Sequence, residues 1–295
     1  MELKKQNVGV VCGCGIRGIE KTAKGFTFHT KGGDFYATKC IMATGGKTLR
    51  KSGSDGSGFL YLESLGHHII DLVPGLIGLK GKQSFFADIA GIRADAKVDL
   101  YIESTHVCSE QGELQLTNYG ISGIPVFQLS RVATRALSEQ KKVYATLNFV
   151  PFWEKEQCLT YFKERFKKAD EKHIGEALIG FFPEKLIPVL LEESHIKAAK
   201  YANRLQTEEL ERFIDTVQGL RVDITDWNTF DTAQVTAGGV DTDEIDAETM
   251  ESKLCPGLYF AGEMVDIDGI CGGYNLQWAW SSGAVAGIHV ARELS

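Results

Sequence analysis

Residues 254–287 constrain the fold more than any other part of the chain. Residues 258–261 form a short apolar run that is typical of a buried strand, and Gly262-Glu263 ends it. After an acidic loop, Gly272-Gly273 precedes about twenty residues without proline, within which small residues recur at helical spacing: Ala279, Ser282, Gly283, Ala286 and Gly287. We therefore predict a strand, a glycine-rich loop and a helix whose small face packs closely against another element.

Glycines before a helix leave its first N–H groups free at the positive end of the helix dipole, which suits an anion. The spacing alone fits an αβ unit of any doubly wound fold equally well. It therefore leaves the function open.

Size and composition exclude several classes of protein. With 295 residues, of which 43% are hydrophobic and 24% charged, the chain has room for two or three soluble domains. It contains neither an apolar run long enough for a membrane span nor a signal-peptide core. A net charge of −7 argues against a nucleic-acid partner, and seven scattered cysteines fit reduced thiols. We predict a cytoplasmic protein that binds neither membrane nor nucleic acid.

Residues 13–18 spell G-x-G-x-x-G after an apolar run, and Asp34 follows at the distance expected of a ribose-binding acid. A dinucleotide fingerprint requires a helix after the glycines, whereas residues 25–30 alternate with period two and lead into a Gly32-Gly33 turn. We therefore predict a hairpin here, with Gly13 and Gly15 marking a bend or bulge in a strand.

Two other glycine-punctuated segments are candidates for ligand contact. Residues 40–43 read as a buried strand that ends in Thr44-Gly45-Gly46, where the missing side chains would let backbone approach a nucleotide. Residues 116–124 enter a helix over 126–137 with Pro125 near its first turn. An ordinary capped helix explains the second segment equally well.

The middle of the chain changes character twice. Short alternating segments up to residue 150 predict a small barrel or sandwich, which residues 221–235 complete. Residues 151–219 predict several amphipathic helices, because Pro183 and Pro188 interrupt them. We find no metal-ligand cluster and no Ser-His-Asp spacing, and we interpret His67 and His68 as a polar helix terminus.

Five stretches together carry a resemblance: residues 41–46 (IMATGG), 116–123 (LTNYGISG), 235–240 (VTAGGV), 249–253 (TMESK) and 257–280, which begins GLYFAGE and ends GGYNLQWAW. In this order they resemble the bacterial and archaeal flavoproteins called NAD(P)/FAD-dependent oxidoreductases, of the aminoacetone-oxidase or bile-acid-inducible-N type.

The resemblance implies an α/β fold: a two-dinucleotide-binding-type FAD domain, built from separated pieces, with an inserted β-barrel and a helical insertion. The pieces would be residues 1–70 and 235–295 for the FAD domain, 71–150 and 220–234 for the barrel, and 151–219 for the helices. Members of this family begin with a glycine fingerprint roughly a hundred residues upstream of this Met1. The resemblance therefore implies that the chain is a C-terminal portion. We expect it to bind FAD weakly or not at all, and to form homo-oligomers through surfaces that the upstream segment would cover.

The resemblance also implies roles for particular residues. Thr44, Gly45 and Gly46 would lie along the adenosine side of FAD, and Gly262 and Glu263 would reach the ribityl and pyrophosphate. The flavin pyrimidine edge would be faced by Gly272, Gly273, Tyr274 and Asn275. We add Asp268 of the acidic loop to this set of cofactor-binding residues.

Two classes of function follow. The first is an FAD oxidoreductase that moves hydride or electrons between a small organic substrate and NAD(P)H or oxygen, with no metal and no catalytic base that we can name. The second is a catalytically incomplete fragment, or a binding or structural relative, that does not hold FAD by itself. Flavin absorbance of the purified chain discriminates between them.

Overall fold

The computed structural model describes residues 2–294. The chain divides into two compact units. One, the α/β unit, contains the chain up to Leu72, Thr236–Gly269 and the chain from Gly273 onward. The other, the barrel unit, contains Val73–Val235 and Ile270–Gly272. The predicted fold class, α/β with an inserted β-barrel, is confirmed.

Three small sheets contain the strands at both ends of the chain. β1 (Ile16–Thr22), β2 (Gly25–Thr30) and β3 (Gly33–Ala37) form an antiparallel meander, as the hairpin pattern predicted. β4 (Cys40–Met42) pairs in parallel with β13 (Leu258–Phe260). β5 (Ile69–Gly75) pairs with β12 (Val235–Val240), and the division between the two units falls within both strands.

The helices of the α/β unit are α1 (Glu2–Lys5), α2 (Ser57–Ser64) and α9 (Tyr274–Glu293). Leu62 of α2 and Ala286 of α9 are fully buried in the core of this unit, together with Tyr259 and Phe260 of β13. α9 buries Ser282 and Ala286, which belong to the small face predicted from the sequence. Small side chains on this face let the helix lie close to the strand ends.

Six strands of the barrel unit close into a barrel in the order β10-β11-β6-β9-β8-β7. Their bounds are β6 Leu79–Gly81, β7 Arg93–Ile102, β8 Thr105–Thr117, β9 Gly120–Gly123, β10 Val143–Asn148 and β11 Leu220–Trp227. β10 shows why the sequence folds this way, because Val143, Ala145 and Leu147 alternate into the interior while their neighbours stay half-buried.

The helices of the barrel unit are α3 (Phe86–Ile89), α4 (Ile124–Ser138), α5 (Lys155–Lys167), α6 (Ile174–Leu178), α7 (Leu186–Glu193) and α8 (Thr207–Gly219). α4 begins with Pro125 in its first turn, as predicted. α8 begins with a capping box of Gln206 and Glu209. The buried faces of α4, α5 and α8 extend the apolar core of the barrel.

Two local predictions need correction. Gly13 and Gly15 precede β1 instead of interrupting a strand, and the irregular register lies between Ile16 and Gly18. His67 is not part of a solvated helix terminus, because its side chain is wholly buried. Within residues 2–294, no helix combines the length and apolar character that crossing a membrane requires.

Candidate functional site

Two parallel strands of the α/β unit end side by side. Met42 of β4 lies opposite Phe260 of β13, and the Ala261 N–H donates to the Met42 carbonyl at 3.0 Å. Beyond these residues the chain continues into the Thr44–Gly46 turn on one strand and into Gly262-Glu263 on the other. These two strands, which come from the two pieces of chain assigned to the FAD domain, therefore share one sheet.

The Glu263 carboxylate joins three segments that are distant in sequence. Its Oε2 accepts the Gly46 N–H at 3.0 Å, and its Oε1 accepts the Thr236 N–H at 2.8 Å. Thr236 Oγ1 in turn accepts the Lys47 N–H at 2.7 Å. A Cβ on Gly46 would lie 2.4 Å from Thr236 Oγ1, so only glycine allows this approach.

Glu263 sits in an environment that disfavours its charge. Burial raises the pKa of its carboxyl, the two backbone N–H donors oppose that shift, and the neighbouring charge of Asp268 adds to it. The carboxyl can therefore gain a proton at a higher pH than an exposed glutamate, while it stays held by two N–H groups.

Gly262 is held against α9 by two side chains of that helix. The Gly262 N–H donates to Ser282 Oγ at 2.9 Å, and Trp278 Nε1–H donates to the Gly262 carbonyl at 3.0 Å. The Ser282 hydroxyl in turn donates a hydrogen bond to the Trp278 carbonyl at 2.7 Å. Gly262 adopts φ 69°, which favours glycine, and Ala279 faces it with only a methyl group.

The acidic loop is fastened to both β12 and the start of α9. Asp266 Oδ1 accepts the Gly238 N–H at 2.9 Å. The Asn275 side chain accepts from the Gly269 N–H at 2.8 Å and donates to the Gly269 carbonyl at 2.9 Å. The Asn275 amide therefore shapes the loop, with one of its two N–H donors and one of its two oxygen lone pairs used on Gly269.

The N-terminus of α9 carries no side-chain cap. Gly273 precedes the helix at φ 91°, and a Cβ there would meet nothing within 4 Å. Among the residues that the structure describes, the backbone N–H groups of Tyr274, Asn275 and Leu276 have no recorded acceptor. This end of the helix therefore offers free donors beside open space.

The remaining predicted residues stand apart from this network. Gly272 (φ 129°) belongs to the barrel unit, where the adjacent Cys271 N–H donates to Gln128 Oε1 at 3.0 Å. Thr44 is exposed, and its hydroxyl contacts the Met264 sulfur at 2.7 Å. Ser54 was not among the residues predicted from the sequence. Its hydroxyl is buried and has no hydrogen-bond partner in the described part of the chain. A Cβ on Gly45 would lie 2.9 Å from this hydroxyl oxygen.

Sequence reasoning also missed a buried Ser–His–Glu array in the α/β unit. His67 Nδ1 lies 2.8 Å from Glu244 Oε2, and its Nε2 lies 3.0 Å from Ser252 Oγ. Ser252 Oγ already accepts the N–H groups of Leu254 and Cys255, so its hydrogen points to His67. With Ser252 only 4% exposed, the array braces the segment before β13 and offers no nucleophile to a substrate.

Comparison with known proteins identifies the family. The family described as "HI0933-like protein Rossmann domain" matches residues 1–289. The chain belongs to this family. The 3-dehydro-bile acid delta(4,6)-reductase of Clostridium scindens is 43% identical to it over 287 residues, which are 97% of this chain and 70% of that enzyme.

Two more distant relatives carry a different name. The ribosomal RNA dihydrouridine synthase of Escherichia coli is 28% identical over 281 residues, 95% of this chain and 68% of the relative. That of Haemophilus influenzae is 28% identical over 272 residues, 91% of this chain and 64% of the relative. By their names, all three relatives catalyse a reduction or form a reduced product, which fits the predicted oxidoreductase class.

Proposed function

We propose that the α/β unit binds FAD and that the protein is a flavin-dependent oxidoreductase acting on a small organic substrate, with NAD(P)H or oxygen as the second reactant. The observation that carries the proposal is the Glu263 bridge. It brings the Thr44–Gly46 turn, Gly262 and β12 together, in a chain that belongs to a Rossmann-domain family and is similar to a bile acid reductase.

The chemistry of the donors and acceptors fits FAD. A carboxylate has about four lone-pair sites, and Glu263 uses two of them on N–H groups, so it can still accept from ribityl or ribose hydroxyls. The uncapped N-terminus of α9 offers N–H donors to an electron-rich flavin edge. Gly273 and Tyr274 leave that end of the helix exposed. The unpartnered Ser54 hydroxyl beside Gly45 is a further polar group on the adenosine side.

In this proposal the chain's own residues bind and orient. FAD, when bound, supplies the hydride chemistry. Glu263 fixes the spacing of the two turns, because losing its carboxylate would free both of the N–H groups that it holds. Ser282 and Trp278 fix Gly262 against α9 and so set where the helix begins relative to β13. The dipole of a helix terminus stabilises nearby negative charge by about 0.3–2 kcal/mol.

For the substrate we propose a conjugated 3-oxo steroid or a similar enone. The support is the identity of 43% with a 3-dehydro-bile acid reductase, against 28% with the two ribosomal RNA enzymes. The net charge of −7 also disfavours a polyanionic substrate. Reduction of uridine in RNA is the second candidate, because two relatives are named ribosomal RNA dihydrouridine synthases.

To test the proposal, the protein is incubated anaerobically with excess FAD, with either NADH or NADPH, and with either a conjugated 3-oxo bile acid or ribosomal RNA. Mass spectrometry then measures the gain of two hydrogens in each substrate. We expect steroid reduction above the background of free FAD with the same nicotinamide. Reduced uridine without reduced steroid would favour the second candidate, and no protein-dependent reduction of either substrate would contradict the proposal.

A further inference from the structure

The glycine run that the sequence analysis separated from dinucleotide fingerprints lines a cavity of its own. The cavity has a volume of about 630 Å³ and lies wholly within the α/β unit. Its lining consists of Gly13, Cys14, Gly15, Ile16, Arg17, Lys31 and Gly32. None of these residues belongs to the candidate flavin site described above.

The glycines leave this cavity open. Gly13 adopts φ 67°, where glycine is favoured. Gly15 has no such backbone constraint, and a Cβ there would meet nothing within 4 Å. Neither backbone strain nor packing in the protein therefore requires glycine at position 15. What its missing side chain provides is space beside the backbone.

The cavity carries donors, most of them exposed, that have no partner among the residues the structure describes. Within residues 2–294, the side chains of Arg17 and Lys31 have no recorded ion pair or hydrogen bond, and neither do the N–H groups of residues 13–15. The carboxylates nearby on β1 and β3 are engaged, because Glu20 and Asp34 both contact His29, at 3.6 and 3.0 Å. Two free cations therefore border a glycine backbone in a chain of net charge −7.

The frame that carries these groups is held by hydrogen bonds. Tyr61 Oη–H donates to the Ile16 carbonyl at 2.6 Å, which fastens the glycine run to α2. Thr30 Oγ1 accepts the Gly32 N–H at 3.1 Å and donates to the Gly33 carbonyl at 2.6 Å, which fixes the turn that carries Lys31. Thr30 and Ile16 face each other in the β1–β2 register. Arg17 and Lys31 therefore lie on two neighbouring segments, each of which is held in place by side-chain hydrogen bonds.

We propose that this cavity binds a phosphate or diphosphate group of a small molecule, separately from the flavin site. Arg17 would grip two phosphate oxygens with its planar guanidinium, Lys31 would supply a second positive charge, and the N–H groups of residues 13–15 would donate from the open side. The arrangement uses successive backbone N–H groups without a following helix, as anion-binding turns do.

The test uses inorganic pyrophosphate as the probe, because it contains no flavin and so is independent of the proposed function. Isothermal titration at low salt compares the wild-type chain with Arg17→Gln, Lys31→Gln and Gly15→Ala. Lys24→Gln is the matched control, since Lys24 is an exposed lysine of the same meander that does not line the cavity. Thermal unfolding without ligand is measured for every variant, and ADP and riboflavin serve as nucleotide and phosphate-free probes.

We expect saturable pyrophosphate binding that weakens about tenfold or more in Arg17→Gln and Lys31→Gln, because each variant removes a positive charge and its charge-assisted hydrogen bonds. Gly15→Ala should weaken binding without lowering the unfolding temperature, Lys24→Gln should match the wild type, and riboflavin should not compete. Absence of pyrophosphate binding by the wild type would overturn the site. So would equal affinities for the Arg17, Lys31 and Lys24 variants, or a loss of stability in Gly15→Ala that accounts for its weaker binding.

Discussion

The two units of this chain satisfy their backbone in different ways. In the barrel unit every strand has a partner on both sides, and a continuous apolar core fills the interior. In the α/β unit the sheets have only two or three strands, and side chains hold the backbone at the strand ends: Glu263, Thr236, Ser282, Asp266 and Asn275. The barrel is thus specified by regular pairing, whereas the candidate site is specified by individual polar side chains.

The comparison predicts the largest loss of stability from a core truncation in the barrel. Leu147 of β10 is fully buried, so Leu147→Ala should lower the free energy of unfolding by about 2–5 kcal/mol, because it leaves a cavity. Urea unfolding followed by circular dichroism measures it. Val107→Ala, on an exposed position of β8, is the control and should cost much less. Equal effects of the two variants would contradict the tight packing of the barrel.

In the α/β unit we expect the largest loss of stability from removing a polar side chain, the Glu263 carboxylate. Glu263→Ala should cost about 2–4 kcal/mol: it leaves the N–H groups of Gly46 and Thr236 without acceptors at about 1–3 kcal/mol each, and removal of the carboxylate's desolvation penalty offsets part of this. The same urea experiment measures it, with Glu248→Ala as an exposed carboxylate control in that unit. A cost within about 0.5 kcal/mol of the control would show that water replaces the bridge.

A neutral hydroxyl should matter less than the carboxylate. Ser282→Ala removes the acceptor of the Gly262 N–H and should cost about 1–2 kcal/mol. Ser281→Ala changes the adjacent, exposed serine of the same helix and is a close control. If both variants unfold at the same urea concentration, the contact between Gly262 and α9 does not depend on this hydroxyl.

The smallest expected effect is a pH dependence due to Glu263. Because burial raises the pKa of its carboxyl, the folded state binds a proton in a range where the unfolded state has lost it. Stability from this group therefore falls as pH rises from its ordinary value of 4.5 through the raised folded pKa. The difference in unfolding free energy between the wild type and Glu263→Gln isolates the contribution. If the unfolding free energy of the wild type instead rose relative to that of Glu263→Gln as pH increases in this range, the raised pKa of Glu263 would be contradicted.

The regular elements could be predicted from sequence because their signals are local. The apolar run over 258–261 and the small residues after Gly273 predicted β13 and α9. Alternation with period two predicted β2 and β10 in the same way. The resemblance to a known family then assigned residues 1–70 and 235–295 to one domain, which short-range patterns cannot do.

The side-chain network could not be predicted because its partners are far apart in sequence. Glu263 and Gly46 are separated by 217 positions, and Ser252 and His67 by 185. No periodicity in the sequence encodes such pairs. From the sequence alone, therefore, His67 is interpreted as part of a polar helix terminus. The resemblance likewise predicts that Asn275 faces the flavin but does not predict that its side chain binds Gly269. A buried histidine or a glutamate after a strand is recognised only once the fold supplies its partners.

The most direct test of the account is whether the α/β unit holds FAD at the start of α9. Flavin fluorescence is titrated with the wild type, with Gly273→Asp, which sets a negative charge beside the free N–H groups, and with Gly273→Asn, a neutral control of the same shape at the same φ of 91°. We predict saturable binding that is about tenfold weaker in Gly273→Asp than in Gly273→Asn, a difference of roughly 1.4 kcal/mol. Absence of saturable binding by the wild type, or equal affinities for all three chains, would contradict this prediction.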